Sequence, residues 1–427
     1  MLLISLGLAQ PRSLIAESTT GLVRDPIDYA GEPALLGNTE GAHVLGTLAA
    51  RSVGIGLGTV RPFGLGQMAM WAEGSGLRVS EDLSTTVEGE TSGSLQATAV
   101  SGGQLWLAFG NGRAGLALGS NFGYQGQTAV AQFYGVPLLG AAPYDPDTDT
   151  GLYTYTFFQQ DLVLGLGLSD ARQTTELDLL YRYELLRPYV QATTSQANQR
   201  FETKGLYETA SLLENRMGHS GGLRLDSMLD LESGGQLRIL VEARVGVFRA
   251  ASDSLIDIAE LDGETIYRRD LELQNARLIT AQGSGLLARH HELERVELRY
   301  GLGFAVWTGG AGWTRVETVR EAEETTLTEQ EHVARWNAIG LSLPAVAMMP
   351  VSDHLTLWVA GSAGWGLLSS DDSYLVQGGD GGQTTASGMS TFRTGVVGVR
   401  IEPSDHLTLD LATTNFEILN VSGVWHF

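Results

Sequence analysis

The sequence reads as all-β: a transmembrane antiparallel β-barrel of about 14 strands (12–16) with an N-terminal plug segment. Three observations lead there. Apolar and polar residues alternate with period 2 through most of the chain after about residue 42. The alternating stretches run to about 10 residues or more, where strands of soluble domains average five or six. Short turns alternate with long acidic or glycine-rich loops, as expected when one end of every hairpin faces a confined compartment.

The composition allows this fold and narrows the rest. The 427 residues carry 27 Lys+Arg against 49 Asp+Glu, a net charge of −22, so attraction to nucleic acid is not expected. There is no cysteine, hence no disulfide framework and no thiolate chemistry. No stretch approaches 18 uninterrupted apolar residues, so a membrane-spanning form would have to be a barrel.

In chain order, residues 1–9 read as the remnant of a secretory signal, with a short apolar run Leu2–Leu8 and small residues Gly7 and Ala9 before Gln10. Residues 10–42 carry Pro11, Pro26 and Pro33 and alternate poorly, which suggests a plug; residues 43–427 form the barrel. Strand grammar is clearest at Glu176–Leu185, Leu223–Leu231, Leu237–Val247 and Val296–Val306. Their polar positions supply the expected lumen-lining set: Asp178, Arg182, Arg224, Asp226, Asp230, Arg238, Glu242, Arg244, Glu297 and Arg299. Long loops are expected over about 79–92, 122–152, 187–216, 251–271, 316–332 and 369–389, with short turns at 110–112, 169–170, 232–235, 290–292, 350–353 and 403–405. Ser352–Leu357 and Ser404–Leu409 repeat the hexapeptide SDHLTL and read as two equivalent turns. Tyr155–Leu164 changes the phase of its apolar positions, as a β-bulge or a strand end would. The eight tryptophans are expected to form interfacial girdles.

Candidate chemistry is sparse. The histidines gather near expected turn ends, and His219–Ser220 would point to opposite faces of one strand, so no catalytic site and no enzyme activity is expected. Asp145, Asp147 and Asp149 alternate as the start of a calcium loop does, but no later glutamate completes it, so a solvated loop is the favoured reading and no metal or cofactor is expected.

Two resemblances refine these expectations. The terminus "NVSGVWHF" resembles the assembly signal of Gram-negative outer-membrane barrels: Asn420 fills its polar position and Trp425 and Phe427 its final aromatic ones, while Ser422 stands where glycine is usual. This implies location in the outer membrane of a Gram-negative bacterium, with outer-membrane lipid, lipopolysaccharide and the barrel assembly machinery as partners. The stretch Ala16–Leu36 is similar to the start of the long-chain fatty-acid and aromatic-hydrocarbon outer-membrane transporters. Asp25 and Asp28 stand for its acidic step, and Glu32-Pro33-Ala34 for its Asn-Pro-Ala motif. That resemblance implies passive diffusion of a hydrophobic small molecule past the plug. The alternatives are a general pore, a structural or assembly barrel that binds a partner through its loops, or a soluble secreted β-rich binding protein.

Overall fold

A computed structural model describes residues 22, 31–38, 41–49, 52–79, 85–87, 90–92, 95–129, 150–170, 172–194, 199–203, 212–213, 215–231, 235–259, 265–321, 324–414 and 418–426. A 3-10 helix spans Pro33–Asn38. It is followed by β1 (Gly41–Ala49), β2 (Ser52–Phe63), β3 (Gly66–Val79), a small separate hairpin of β4 (Thr85–Val87) and β5 (Glu90–Ser92), then β6 (Leu95–Gly110), β7 (Ala114–Ala129), β8 (Thr150–Ser169) and β9 (Gln173–Thr194). The remaining strands are β10 (Gln199–Thr203), β11 (Arg216–Asp230), β12 (Gln236–Ala259), β13 (Thr265–Leu293), β14 (Val296–Glu321), β15 (Glu324–Ser352), β16 (Leu355–Val376), β17 (Gly381–Ser404), β18 (Leu407–Thr414) and β19 (Ile418–His426).

Seventeen strands share one sheet, and every pairing is antiparallel. The order is cyclic. β1 pairs β2 on one side and β19 on the other, with His43 opposite His426 and Val44 opposite Trp425. With the short β10 left aside, sixteen strands make the circuit, at the upper end of the 12–16 expected around fourteen. The extra strands lie near the N-terminus, where the β1–β2 pairing that ends at Ala49 and Ser52 and the turn at Gly64-Leu65 sit among glycine-rich strands with weak polar contrast. Gly64 takes φ +62, a conformation that a turn glycine adopts without steric cost.

Alternation sorts side chains onto two faces. The outward face is apolar around the circuit: Ile55, Leu118, Leu166, Leu179, Leu223, Val245, Leu302, Leu343, Val359 and Trp425 are all exposed. On the long strands the stripe is about ten residues tall, as from Leu237 to Val247 on β12, matching the 9–11 that a tilted strand needs to cross a bilayer. A patch of this extent is a lipid contact and not a water-facing surface.

Several expected loops are strand instead. β12 and β13 run to Ala259 and from Thr265, β14 and β15 to Glu321 and from Glu324, and β16 and β17 to Val376 and from Gly381. These six strands are 22 to 29 residues long, whereas β1, β18 and β19 have 9, 8 and 9. Beyond the bilayer both faces of a strand meet water, so the polar–apolar contrast disappears while backbone pairing continues. That is why the sequence pattern read as loop. The expected turn at 290–292 also lies within β13, and the chain reverses at 294–295.

The SDHLTL repeat does mark two equal turns. The His354 N–H donates to Ser352 Oγ and the His406 N–H to Ser404 Oγ, both at 3.3 Å. The expected phase break in β8 is not a bulge: its ladders with β7 and β9 run without register shift from Gly151 to Leu166.

Candidate functional site

The inward face carries the chemistry, and the 3-10 helix lies against it. Leu36 is fully buried among Ala69, Ala108, Ala117, Val163 and Leu180, small or branched residues from β3, β6, β7, β8 and β9. The close approach depends on glycine. A Cβ at Gly110 would lie 1.7 Å from the Pro33 carbonyl oxygen, and one at Gly115 2.3 Å from the Pro33 carbonyl carbon. Gly112 N–H donates to the Ala34 carbonyl at 3.0 Å.

Charge completes the dock. Glu176 on β9 is fully buried and accepts from the Ala34 N–H at 2.9 Å and the Leu35 N–H at 3.3 Å. Donors at the start of a short helix lack partners within it, and a carboxyl group is a natural acceptor there; the Leu35 N–H is shared with the Glu32 carbonyl at 3.2 Å. Beside it, Arg224 binds Asp178 at 2.8 Å and also donates to the Gly31 carbonyl. Leu22 packs separately on Leu286 and Ala288.

Of the expected plug residues, Glu32, Pro33 and Ala34 are buried at this dock, while Asp25 and Asp28 lie outside the described residues. The expected lumen-lining residues fall on the inward face mostly as ion pairs. Arg238 meets Asp226 at 2.6 Å, Arg299 meets Glu297 at 2.5 Å, and Arg244 meets Glu242 at 2.5 Å. Arg182 meets Asp161 at 2.7 Å, with Arg244 3.9 Å from the same carboxylate. Asp230 is exposed at the mouth and accepts from the Gln236 amide at 2.9 Å.

Three acids of this wall were missed from sequence. Asp161 was hidden by the apparent phase change in β8, although it shares parity with the inward Val163 and Gly165. Glu176 was read as one polar position among several, because nothing local signals that a segment 141 residues away supplies its donors. Asp410, nearly fully buried on β18, takes Arg400 at 2.9 Å.

A second filling occupies the inward face along β12 to β15. Leu212 and Leu213, from the β10–β11 connection, pack with Phe248, Leu273, Leu278, Trp313 and Trp336. This overturns the girdle expectation for most tryptophans. Trp71, Trp313, Trp336 and Trp358 are buried inward, Trp106 and Trp307 are half-buried there, and only Trp365 and Trp425 are exposed on the outer face. Several indoles lie flat over a cross-strand glycine: a Cβ at Gly58 would sit 1.8 Å from Trp71, one at Gly309 2.6 Å from Trp336 and one at Gly398 2.3 Å from Trp358. The ring fills the space left by the missing side chain.

His219 faces outward, bonded to the Tyr181 hydroxyl at 2.7 Å and stacked on that ring. Asp145, Asp147, Asp149 and Phe427 lie outside the described residues; Trp425 is exposed on β19, and Asn420 pairs Ala412.

No protein-family model and no curated protein matches the sequence. Solved structures do, at low similarity. The siderophore receptor PiuA from Acinetobacter baumannii matches with TM-score 0.35 and 8% identity over 91% of this chain and 82% of that one. The copper transporter OprC matches with TM-score 0.36 and 9% identity over 91% and 80%. The ferric yersiniabactin uptake receptor FyuA from Yersinia pestis matches with TM-score 0.26 and 8% identity over 91% and 80%. At these values nothing of their cargo transfers to this chain.

The expectation of fatty-acid or hydrocarbon diffusion is overturned. The wall beside the docked segment is lined by paired charges, and β8 has no bulge to open a side exit. The coarser reading stands on the molecule itself. A cyclic antiparallel sheet with an apolar outer stripe as tall as a bilayer is an outer-membrane β-barrel, and the outer membrane is its location.

Proposed function

We propose that the chain is a gated outer-membrane uptake barrel for a hydrophilic solute, with residues 10–38 as its plug and no covalent chemistry of its own. One observation carries this: the Pro33–Asn38 helix is held to the inward wall by the buried Glu176 carboxylate and by Arg224. Hydrogen bonds of this kind contribute about 0.5–1.5 kcal/mol each, enough together to hold a segment closed and little enough to be overcome by a ligand or partner.

The wall favours a polar traveller. Asp161, Asp178 and Asp226 with their arginines present charge and hydrogen-bonding groups along the path that release of the segment would open. The same ion pairs stiffen the wall. Closure of the circuit by β19 on β1 fits the reading too.

Deletion of residues 10–38 tests the proposal in planar bilayers. The full chain is expected to be nearly silent and the deletion to conduct ions steadily. Equal conductance of the two would sink the plug assignment.

A further inference from the structure

Arg249 on β12 and Arg277 on β13 stand directly opposite each other in the ladder, and both are exposed on the outward face. Like charges at opposed positions of an antiparallel pair repel. Among the described residues neither guanidinium has a hydrogen bond or an ion pair, and the strand on the far side of β12 offers Met217 opposite Arg249. A chain with net charge −22 has carboxylates to spare, yet none is placed against this pair.

Their height is specific. Arg249 is the next outward position above Val247, and Arg277 the next above Ile279, each 58% exposed on the apolar stripe. The β12 stripe runs from Leu237 to Val247, which at about 3.3 Å per residue and a tilt of about 45° spans about 25 Å, the apolar thickness of such barrels. The short turns at Gly64, 111–113, 353–354 and 405–406 lie at the other end. The pair therefore stands at the headgroup level of the outer leaflet.

The neighbouring strand leaves room. On β14, Gly312 is opposite Arg277 and Gly310 is opposite Arg335 of β15, so bare backbone separates two outward guanidinium groups. Among the described residues Arg335 also has no hydrogen bond or ion pair: Asp371 lies across from it on β16, but its Oδ1 accepts from Gln383 at 2.9 Å. A guanidinium fork suits phosphate oxygens, and basic clusters at a membrane surface bind phosphorylated headgroups.

We propose that Arg249, Arg277 and Arg335 bind the phosphate groups of an outer-leaflet glycolipid, whose acyl chains lie along Val247, Ile279 and Ile339. The site rests on the outer-membrane reading but not on the plug.

The test adds three probes to purified full-length protein in a neutral detergent: phosphorylated lipid A, dephosphorylated lipid A and inorganic phosphate. The temperature at which the heat-modifiable band is lost is the readout. Phosphorylated lipid A is expected to raise that temperature by several degrees, and the other two probes are expected to leave it in place. The Arg249→Gln/Arg277→Gln variant should need about tenfold more lipid for the same shift. Arg61→Gln/Arg113→Gln, with the same charge removed at the turn end, should respond as the natural chain does. An unchanged response in the Arg249→Gln/Arg277→Gln variant overturns the site. An equal shift from dephosphorylated lipid or from inorganic phosphate overturns the phosphate-lipid assignment. Absence of any heat-modifiable band in the natural chain would instead sink the barrel, so the two failures are distinguishable.

Discussion

The wall formed by β6 to β11 and the wall formed by β13 to β17 use the same ladder and fill the space behind it by largely different means. The first lays small residues against a docked helix and fixes it with buried charge: Gly110, Gly115 and Gly165 below, Glu176, Asp178 and Arg224 around it. The second is filled by tryptophans laid over glycines, with Leu212 and Leu213 packed against them; the first uses the same device at Trp106 and Gly119. A charged dock holds a segment that can leave, because water can take over each hydrogen bond. An indole packed on a glycine belongs to the wall and has no comparable exchange. Under the proposed function, the difference separates the part of the interior that moves from the part that stays.

The sharpest way to break that contrast is Glu176→Ala combined with Arg224→Met. It leaves the Ala34 N–H without its acceptor, the Leu35 N–H with only the Glu32 carbonyl, and Asp178 buried without its cation. Loss of one partner of a buried pair costs about 3–5 kcal/mol. Bilayer conductance should rise to that of the residue 10–38 deletion, while heat-modifiable barrel persists. Trp336→Ala should do the reverse. Removing a buried indole costs about 3–5 kcal/mol, seen as a lower band-shift temperature, with conductance still near silent.

A smaller effect is expected from Gly398→Ala, whose added methyl would press on Trp358. Overpacking of this kind costs about 1–3 kcal/mol, and Trp358→Leu in the same chain should recover part of the loss. The smallest concerns the β8–β9 turn. Asp170 accepts from the Arg172 and Gln173 N–H groups at 2.8 Å each, and these bonds hold its carboxyl below the ordinary 3.8. A depressed carboxylate adds stability above its unfolded pKa and loses it as pH falls through its folded one. Asp170→Ala should therefore lower the band-shift temperature slightly at neutral pH, and the gap from the natural chain should close below pH 3.8.

Much of the barrel was legible in sequence because lipid enforces contrast. Where one face meets acyl chains, as at Leu223–Leu231 and Leu237–Val247, alternation is clean and both parity and register follow. Where the strands leave the bilayer, as at Thr325–Thr328 or Thr384–Thr391, no such constraint acts on either face, and the same backbone reads as loop. The ion-pair wall was visible as polar positions of alternating strands. Glu176 as the acceptor for Ala34 and Leu35 was not, because that contact is made by closure of the sheet around a distant segment. The tryptophans misled for a related reason: an inward indole is betrayed only by the glycine across the ladder, and the partner strand is not read from its own sequence.

The central claim is that residues 31–38 lie against the inward wall at β8 and close the passage. The chain has no cysteine, which permits a direct test. A Cβ at Gly167 would lie 3.0 Å from the Ala34 Cβ, close to the spacing of about 3.5–4.5 Å found in disulfides. The Ala34→Cys/Gly167→Cys chain should cross-link under mild oxidation. Its conductance, under a voltage that opens the reduced form, should vanish on oxidation and return on reduction. Failure to cross-link, or conductance equal in both states, would contradict the account.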